Sequence, residues 1–217
     1  MCGTPHWSLK ITQLLSLTTC PKCEYYTSNH DPIQVISLEI PSYASSLKDC
    51  FKEYTKKVKL DEENLWRCDK CNSEVQSDKK ILLWRTSDII IILLKRYKGN
   101  TKIDTYIEYP LTLSLKKYNM NYGTERKNSY TLQSFVVHQG SLGGGHYFAV
   151  CKNQLDNLWR QYNDSHVSLV EKKDLQKFSS SLQEEKEQIP ASIMIEFNAV
   201  EGSLKEGLES LNAALDI

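Results

Sequence analysis

The sequence predicts an α+β protein that is mainly antiparallel sheet with a few helices. Three observations support this class. Ile89–Leu94 is an unbroken apolar run of strand length, and three further strand-like runs lie between Tyr130 and Val170. Before that stretch only one segment, residues 46–58, has apolar residues at helical spacing. Strands therefore dominate the pattern, with helices as supporting elements.

Composition sets the class of protein and its compartment. The 217 residues are 40% hydrophobic, enough for one large domain or two small ones. The 27 basic and 27 acidic residues cancel, so no overall field recruits nucleic acid or an anionic membrane. No run approaches the roughly 20 apolar residues of a membrane span, and the amino terminus lacks a signal-peptide pattern. Seven cysteines, an odd number, suit a reducing compartment, so we expect a cytoplasmic or nuclear protein.

The remaining segments are assigned in chain order from local patterns. Residues 1–16 are expected to be irregular, and Cys50 lies on the apolar face of the 46–58 helix as a core residue. The unbroken run Ile89–Leu94 predicts a strand buried on both faces, at the centre of the sheet. The other predicted elements are strands at residues 32–40, 81–84, 109–115 and 193–197, a loop at 119–129, a short helix at 171–178 and a solvated connector at 179–188.

Two CxxC pairs indicate a metal site. Cys20 and Cys23 form one pair, and Cys68 and Cys71 form the other, each with the same spacing. Four thiolates are a complete tetrahedral set for structural zinc, and two hairpin tips brought together would supply them. The alternatives are four unrelated reduced thiols or a redox pair. A redox pair is disfavoured because no thioredoxin-like βαβ pattern accompanies it.

The stretch from Tyr130 to Val170 contains the strongest functional pattern. Its strand-like runs, residues 132–137, 146–151 and 158–162, surround His146. If Cys151 and Leu158 close the turn between the last two runs, His146 faces Asn163 in an antiparallel pair. A one-residue slip in register would bring Asp164 there instead. The pattern therefore nominates Asn163 or Asp164 as the group that orients His146.

Three glycines precede this histidine. Gly143, Gly144 and Gly145 have no side chains to block an approaching chain and can adopt positive φ at little cost. A histidine held by an amide or carboxylate beside open backbone is typical of the base half of a nucleophilic site. The alternative is a glycine-rich hairpin loop whose histidine only fills space.

The segments GGGHYFAVCKN and LWRQYNDSHVSLV resemble the histidine box of the ubiquitin-specific proteases. The segments LKRY and YPLTLSL resemble two further segments of that family, and the CxxC pairs have a comparable separation. The resemblance covers residues 17–197. It implies a papain-like cysteine peptidase fold, represented by its fingers and palm subdomains, with the helical thumb missing.

The family's roles would make His146 the general base, oriented by Asn163 and assisted by Asp164. Gly143, Gly144, Gly145 and Tyr147 would contact substrate, and Cys20, Cys23, Cys68 and Cys71 would bind structural zinc.

The resemblance implies a deubiquitinating cysteine protease that hydrolyses isopeptide or peptide bonds at the ubiquitin carboxyl terminus. Ubiquitin and ubiquitinated proteins are then the partners. The family's cysteine box, GLxNxGNTCxxN, has no match: Cys2 lies in an unrelated sequence, and strand alternation points Cys151 away from the histidine. We therefore expect a fragment or truncated form of a protease.

Two alternatives and one appended segment complete the expectations. A catalytically inactive ubiquitin-binding module with structural zinc would share every motif above. A zinc-ribbon nucleic-acid binder is disfavoured by the zero net charge. The leucines of residues 198–217 have helical spacing, which predicts an amphipathic tail that packs on its own domain or on a partner.

Overall fold

The computed structural model describes residues 11–120, 128–141, 143–179 and 191–199. Within these ranges strands predominate. The elements are β1 Thr12–Thr19, β2 Tyr26–Ile33, β3 Val35–Leu38, α1 Leu47–Tyr54, β4 Val58–Lys59, β5 Trp66–Arg67, β6 Glu74–Val75, β7 Asp78–Arg85, β8 Ile89–Leu94, β9 Tyr97–Lys98, β10 Thr101–Lys102, β11 Thr112–Ser114, β12 Ser129–Ser141, β13 Gly144–Lys152, β14 Trp159–Asn163, β15 His166–Val170, a 3₁₀ helix Lys172–Ser179 and β16 Ala191–Ala199. The predicted fold class, mainly antiparallel sheet with a few helices, is confirmed.

A large sheet forms the centre of the molecule. Its strand order is β15-β14-β13-β12-β16-β8-β3, and β11 pairs with the start of β12. All pairs are antiparallel except β3 with β8. The last described strand, β16, is inserted between β12 and β8, so the two halves of the sequence share one sheet.

The apolar run Ile89–Leu94 is a strand, but its predicted position and burial are wrong. It lies next to the edge strand β3. Ile90, Ile92 and Leu94 are buried, whereas the residues between them are only partly buried. An unbroken apolar run does not distinguish a strand with two covered faces from one with a single covered face, which explains the error.

Helix α1 packs beside β3 and contributes to the main core. Its predicted apolar face is confirmed, because Leu47, Cys50 and Phe51 are buried in the main core. The Asp49 carboxylate accepts a hydrogen bond from the Ser46 backbone N–H at 3.0 Å, which caps the first turn. The helix ends at Tyr54, short of the predicted residue 58, because Val58 pairs instead with β7.

A second sheet, in the order β2-β1-β7-β4, extends from the large one. Its strand β1 contradicts the expected irregular segment over residues 12–16. The alternation there is imperfect, since Leu14 and Leu15 are adjacent and both buried, and this hid the strand in the sequence. The predicted strand at residues 32–40 is divided, with its start ending β2 and its middle forming β3.

The end of the described chain differs from the sequence expectation in two respects. β15 was not predicted, because its residues are largely exposed and carry no alternation. The predicted helix at 171–178 is a 3₁₀ helix. Most of the predicted loop and connector, and residues 200–217 of the predicted tail, lie outside the described residues. Within the described ranges, no helix has the length and apolar character needed to cross a membrane.

Candidate active site and metal centre

His146 and Asn163 form the centre of the candidate site. His146 lies on β13, Asn163 ends the neighbouring β14, and Nε2 of the imidazole is hydrogen-bonded to Oδ1 of the amide. Because the amide oxygen is an acceptor, Nε2 carries the proton and Nδ1 of the neutral ring keeps its lone pair. The arrangement therefore leaves a basic nitrogen available on a ring whose orientation is held.

The register that predicted this contact is wrong, although the contact is present. Lys152 pairs with Trp159, so the β13–β14 register is two residues from the predicted one and Asn163 is not directly opposite His146. A two-residue shift keeps every side chain on its original face, whereas a one-residue slip would have reversed it. The two side chains therefore remain on one face and meet along the diagonal.

Asp164 lies near the ring in a more exposed position. Its Oδ2 is 3.8 Å from Nε2 of His146, and its side chain is 79% exposed. Asp164 also has φ of 50° in the turn between β14 and β15, a left-handed conformation that Asp tolerates better than most residues. The left-handed turn is sufficient to explain why a short polar residue occupies position 164, whether or not Asp164 acts on His146.

The glycine run has two different environments. A Cβ added at Gly143 or Gly144 would meet nothing within 4 Å, so both face open space. A Cβ at Gly145 would instead lie 2.2 Å from Nε2 of His138. Gly144 and Gly145 do not use the positive φ that glycine permits, while Gly140 has φ of 128°. The open surface expected of the run is thus present at its first two glycines.

A buried cluster beneath the glycine run was not predicted. His138 is 3% exposed, and its Nδ1 is 2.7 Å from the Tyr97 hydroxyl. The side chain of Lys102 donates to the carbonyl oxygens of His138 at 3.3 Å and Gly140 at 2.7 Å. Burial, followed by the charge of Lys102, lowers the pKa of His138, so its imidazole is neutral. A histidine within the apolar run of β12 was the sequence signal for this cluster.

Tyr147, a predicted substrate contact, lies above this cluster. Its side chain is exposed, and its ring centroid is 4.5 Å from that of His138. Burial raises the pKa of Tyr97 to about 12, and a hydrogen bond between its hydroxyl and Tyr147 adds to the effect. The residue after His146 is therefore connected to Tyr97 and His138 on the other face of β13.

The cysteines of the described part of the chain do not include a nucleophile for His146. Four belong to the CxxC pairs, and Cys50 lies in the core, where burial raises its pKa to about 11. Cys151 is five positions along β13, which is about 16 Å, and alternation directs its side chain to the other face. Burial also raises the pKa of Cys151, so its thiol is a poor nucleophile.

The two CxxC pairs meet as predicted. Each occupies a hairpin tip, one between β1 and β2 and the other between β5 and β6. The tips are alike: Glu24 and Asn72, each directly after the second cysteine, have φ of 58° and 53°. All four Sγ atoms lie within 4.8 Å of one another, in a cluster that could hold a metal ion: Cys20, Cys23, Cys68 and Cys71.

The sulfur geometry fits a tetrahedral ion. Zn–S bonds of about 2.3 Å imply S–S edges of about 3.8 Å. Cys20 and Cys71 have their Sγ atoms 3.8 Å apart, and those of Cys23 and Cys68 are 3.6 Å apart. The backbone N–H of Ser73 lowers the pKa of Cys71 to about 6, whereas burial and hydrogen bonds with the other three thiols raise the pKa of Cys23 to about 12. Thiols this close share their protons, and a metal ion requires all four as thiolates.

The mainly antiparallel sheet, the His146–Asn163 pair and the four-cysteine cluster at two hairpin tips define the class as a papain-like cysteine peptidase fold. The family model described as ubiquitin carboxyl-terminal hydrolase matches residues 12–193. The chain therefore belongs to the ubiquitin carboxyl-terminal hydrolase family, as a member of its ubiquitin-specific proteases.

Individual relatives agree with this assignment. A probable ubiquitin carboxyl-terminal hydrolase of Acanthamoeba polyphaga mimivirus is 32% identical over 163 residues, which is 70% of this chain and 35% of the relative. Ubiquitin carboxyl-terminal hydrolase 12 of Saccharomyces cerevisiae is 38% identical over 128 residues, which is 57% of this chain and 10% of the relative. This chain thus spans about a third or less of these two curated relatives.

Solved structures show the same fold. The SAGA DUB module Ubp8/Sgf11/Sus1/Sgf73 bound to monoubiquitin contains a chain with a TM-score of 0.76 and 24% identity, covering 92% of this chain and 43% of that one. A yeast SAGA DUB module with an Sgf73 mutant gives a TM-score of 0.75 at 26% identity, with coverage of 93% and 43%.

Proposed function

We propose that this chain provides the base and the orienting group of a thiol-dependent deubiquitinase. The observation that carries the proposal is the hydrogen bond between His146 Nε2 and Asn163 Oδ1 beside open glycine backbone. Family membership supplies the reaction class, which is hydrolysis of the bond after the ubiquitin carboxyl terminus. Asp164, 3.8 Å away and exposed, contributes a minor electrostatic effect.

In this mechanism Nδ1 of His146 takes the proton of a cysteine thiol. The thiolate attacks the carbonyl carbon at the end of ubiquitin, and the imidazolium then donates its proton to the leaving amine as the C–N bond breaks. Water, deprotonated by the same nitrogen, attacks the thioester and regenerates the thiol. Asn163 keeps the Nε2–H tautomer throughout, so that Nδ1 remains the nitrogen that exchanges the proton.

The nucleophile in this proposal comes from outside the described residues. No described cysteine can approach His146, because four lie at the hairpin tips and the other two are the core Cys50 and the oppositely directed Cys151. We propose that a segment with the family's cysteine box completes the site, either in the same polypeptide or in a partner chain.

The substrate would cross the glycine run. Gly143 and Gly144 leave room for an extended backbone, and the exposed Tyr147 ring borders the same strand. Two structural neighbours are complexes with monoubiquitin and with ubiquitin aldehyde. By analogy we propose that ubiquitin and ubiquitinated proteins are the partners here, and that the final ubiquitin residues lie against these glycines.

The four-cysteine cluster would hold a structural zinc ion. Four thiolates leave no open position for a substrate or water, so the ion would join the two hairpin tips without entering the reaction. Zinc would supply fold stability, because thiolates this close repel one another without a cation. Described cysteines without disulfides suit a reducing compartment, and we propose a cytoplasmic or nuclear location.

Hydrolysis of a ubiquitin carboxyl-terminal amide by the native-length gene product tests the enzyme proposal. We expect turnover, labelling of one cysteine by a ubiquitin thiol probe, and loss of turnover in His146→Ala with ubiquitin binding retained. The matched control is His30→Ala, which removes an exposed histidine of β2, in the second sheet. A folded native-length product that neither turns over nor is labelled would end the enzyme proposal.

A non-catalytic ubiquitin-binding module is the second candidate. It is favoured by one observation, the lack of a described cysteine near His146. It predicts perturbation of ubiquitin resonances by this chain together with no probe labelling of the native-length product. Absence of any perturbation at high micromolar ubiquitin would exclude this second candidate.

A further inference from the structure

We propose that His138 is a positioning residue for His146, and that Tyr97 and Lys102 hold it in place. The inference deepens the proposed function and rests on it, because it assigns His146 the role of base. His138 itself contacts neither substrate nor the reacting atoms. It would act through the backbone on either side of His146.

His138 lies on the reverse face of β13, under the residues that flank His146. Neighbouring residues of a strand point to opposite faces, so Gly145 and Tyr147 both face away from the His146 side chain. His138 pairs with Tyr147 in the β12–β13 register. Its ring packs against that of Tyr147 with the centroids 4.5 Å apart and the planes tilted by 40°, and it occupies the space where a Gly145 side chain would project. One imidazole therefore contacts the chain immediately before and immediately after His146.

His138 supports β13 at the point where this strand has a pairing partner on one side alone. β12 pairs with β13 from Gly144 to Cys151, but β14 joins β13 only from Ala149 onward. The backbone at His146 is consequently paired on one side alone. Its position relative to Asn163, which belongs to β14, is not set by direct strand pairing. Contacts on the reverse face are then the means by which the structure can fix that position.

The hairpin of β9 and β10 anchors His138 from a distant part of the sequence. Tyr97 places its hydroxyl 2.7 Å from Nδ1 of His138. Lys102, whose side chain is 5% exposed, donates to the His138 and Gly140 carbonyls and lies 3.3 Å from Asp104. The hairpin therefore holds the end of β12 at two residues, His138 and Gly140. The charged and titratable groups around the imidazole are Lys102, Asp104, Tyr97 and Tyr147.

A histidine that only filled the core would be buried to the same extent as His138. The experiment must therefore measure a property of His146. The measurement is the imidazole ¹⁵N spectrum of His146 in this chain at a pH where imidazoles are neutral, which reports its tautomer. In the unmodified protein we expect a single Nε2–H tautomer. Tyr97→Phe, which keeps the ring and removes only the hydroxyl, and His138→Leu, which keeps volume, should each give a mixture of tautomers.

Tyr130→Phe is the matched control. Tyr130 is also buried, and its hydroxyl donates to the Ser87 carbonyl at 2.9 Å, at the opposite end of β12. It should lose similar stability yet keep the His146 tautomer. A fixed His146 tautomer in folded Tyr97→Phe would overturn the proposal. An equal change in Tyr130→Phe would also overturn it, because the effect would then reflect general loosening. None of these readouts requires ubiquitin or turnover, so failure here is distinguishable from failure of the proposed function.

Discussion

The imidazole of His138 occupies the space that a side chain at Gly145 would need, with Nε2 only 2.2 Å from an ideal Cβ. The three consecutive glycines therefore serve different purposes. Gly145 permits the close approach of a buried ring from the reverse face, whereas Gly143 and Gly144 leave the surface open. Substitutions along the run should separate a requirement of folding from a requirement of substrate access.

Gly145→Ala should destabilise the protein, and Gly144→Ala should not. The added methyl at 145 would overlap the His138 ring and the Gln139 carbonyl, so we expect a loss of about 1–3 kcal/mol in the free energy of unfolding. Gly144→Ala is the matched control because its Cβ meets open space. Urea unfolding of both variants measures the difference. Equal midpoints for the two variants would contradict this account of the run.

Asn163→Ala should leave His146 in place but release its orientation. With the Oδ1 acceptor removed, the ring loses its fixed tautomer, and misplacement of a catalytic group by about 1 Å costs roughly 100-fold in rate. We expect kcat of the native-length gene product to fall by about that factor, with a smaller change in KM. Steady-state hydrolysis of a ubiquitin amide measures it. A KM effect alone would assign Asn163 to substrate binding instead.

Asp164→Asn should have a small effect by comparison. The carboxylate is 79% exposed and 3.8 Å from Nε2, and exposed ion pairs contribute at most about 1 kcal/mol, which is roughly fivefold in rate. Asn also tolerates the left-handed conformation at this position, so the turn is preserved. The same assay at low and high salt measures the effect. A loss as large as that of Asn163→Ala would show that Asp164 orients the ring.

The sequence correctly predicted which strand faces carry the site residues, but it did not predict the register between β13 and β14. Alternation placed His146 and Asn163 on one face, and this survives any shift by an even number of residues. The turn after Lys152 determined the actual pairing, which the pattern did not specify. Equal CxxC spacings likewise predicted the metal cluster, because each pair closes its own hairpin tip.

The support under the site depended on long-range contacts that no local pattern contains. Tyr97 and His138 are far apart in sequence and meet only because β9 and β10 fold back over the end of β12. The position of β8 depended in the same way on β16, which enters the sheet from the end of the described chain. Periodicity describes which face of an element is apolar, but it does not identify the element's neighbours.

Zinc content should depend on the hairpin-tip cysteines alone. We expect one zinc per chain by elemental analysis, loss of that zinc in Cys68→Ser, and retention in Cys151→Ser, because Cys151 lies outside the four-cysteine cluster. Removing zinc with a chelator should lower Tm by about 5–10 °C if the metal is present at about 100 times its Kd. Retention of zinc by Cys68→Ser would show that the cluster is not the binding site.

Acid should destabilise the protein partly through His138. Burial first, and then the charge of Lys102, lowers the folded-state pKa of His138 below its ordinary value of 6.5. The unfolded state therefore binds the proton more readily, so stability should fall as pH drops below about 6.5 and level off only below the folded-state pKa. His138→Asn removes this group, and its stability should decline less between pH 7 and pH 5 than that of the unmodified protein. Urea unfolding of both proteins across this range measures the difference.

Protonation of the metal-site thiols affects both equally and cancels in the comparison. Parallel pH profiles for the two proteins would mean that the His138 imidazole is solvated as well in the folded protein as in the unfolded chain.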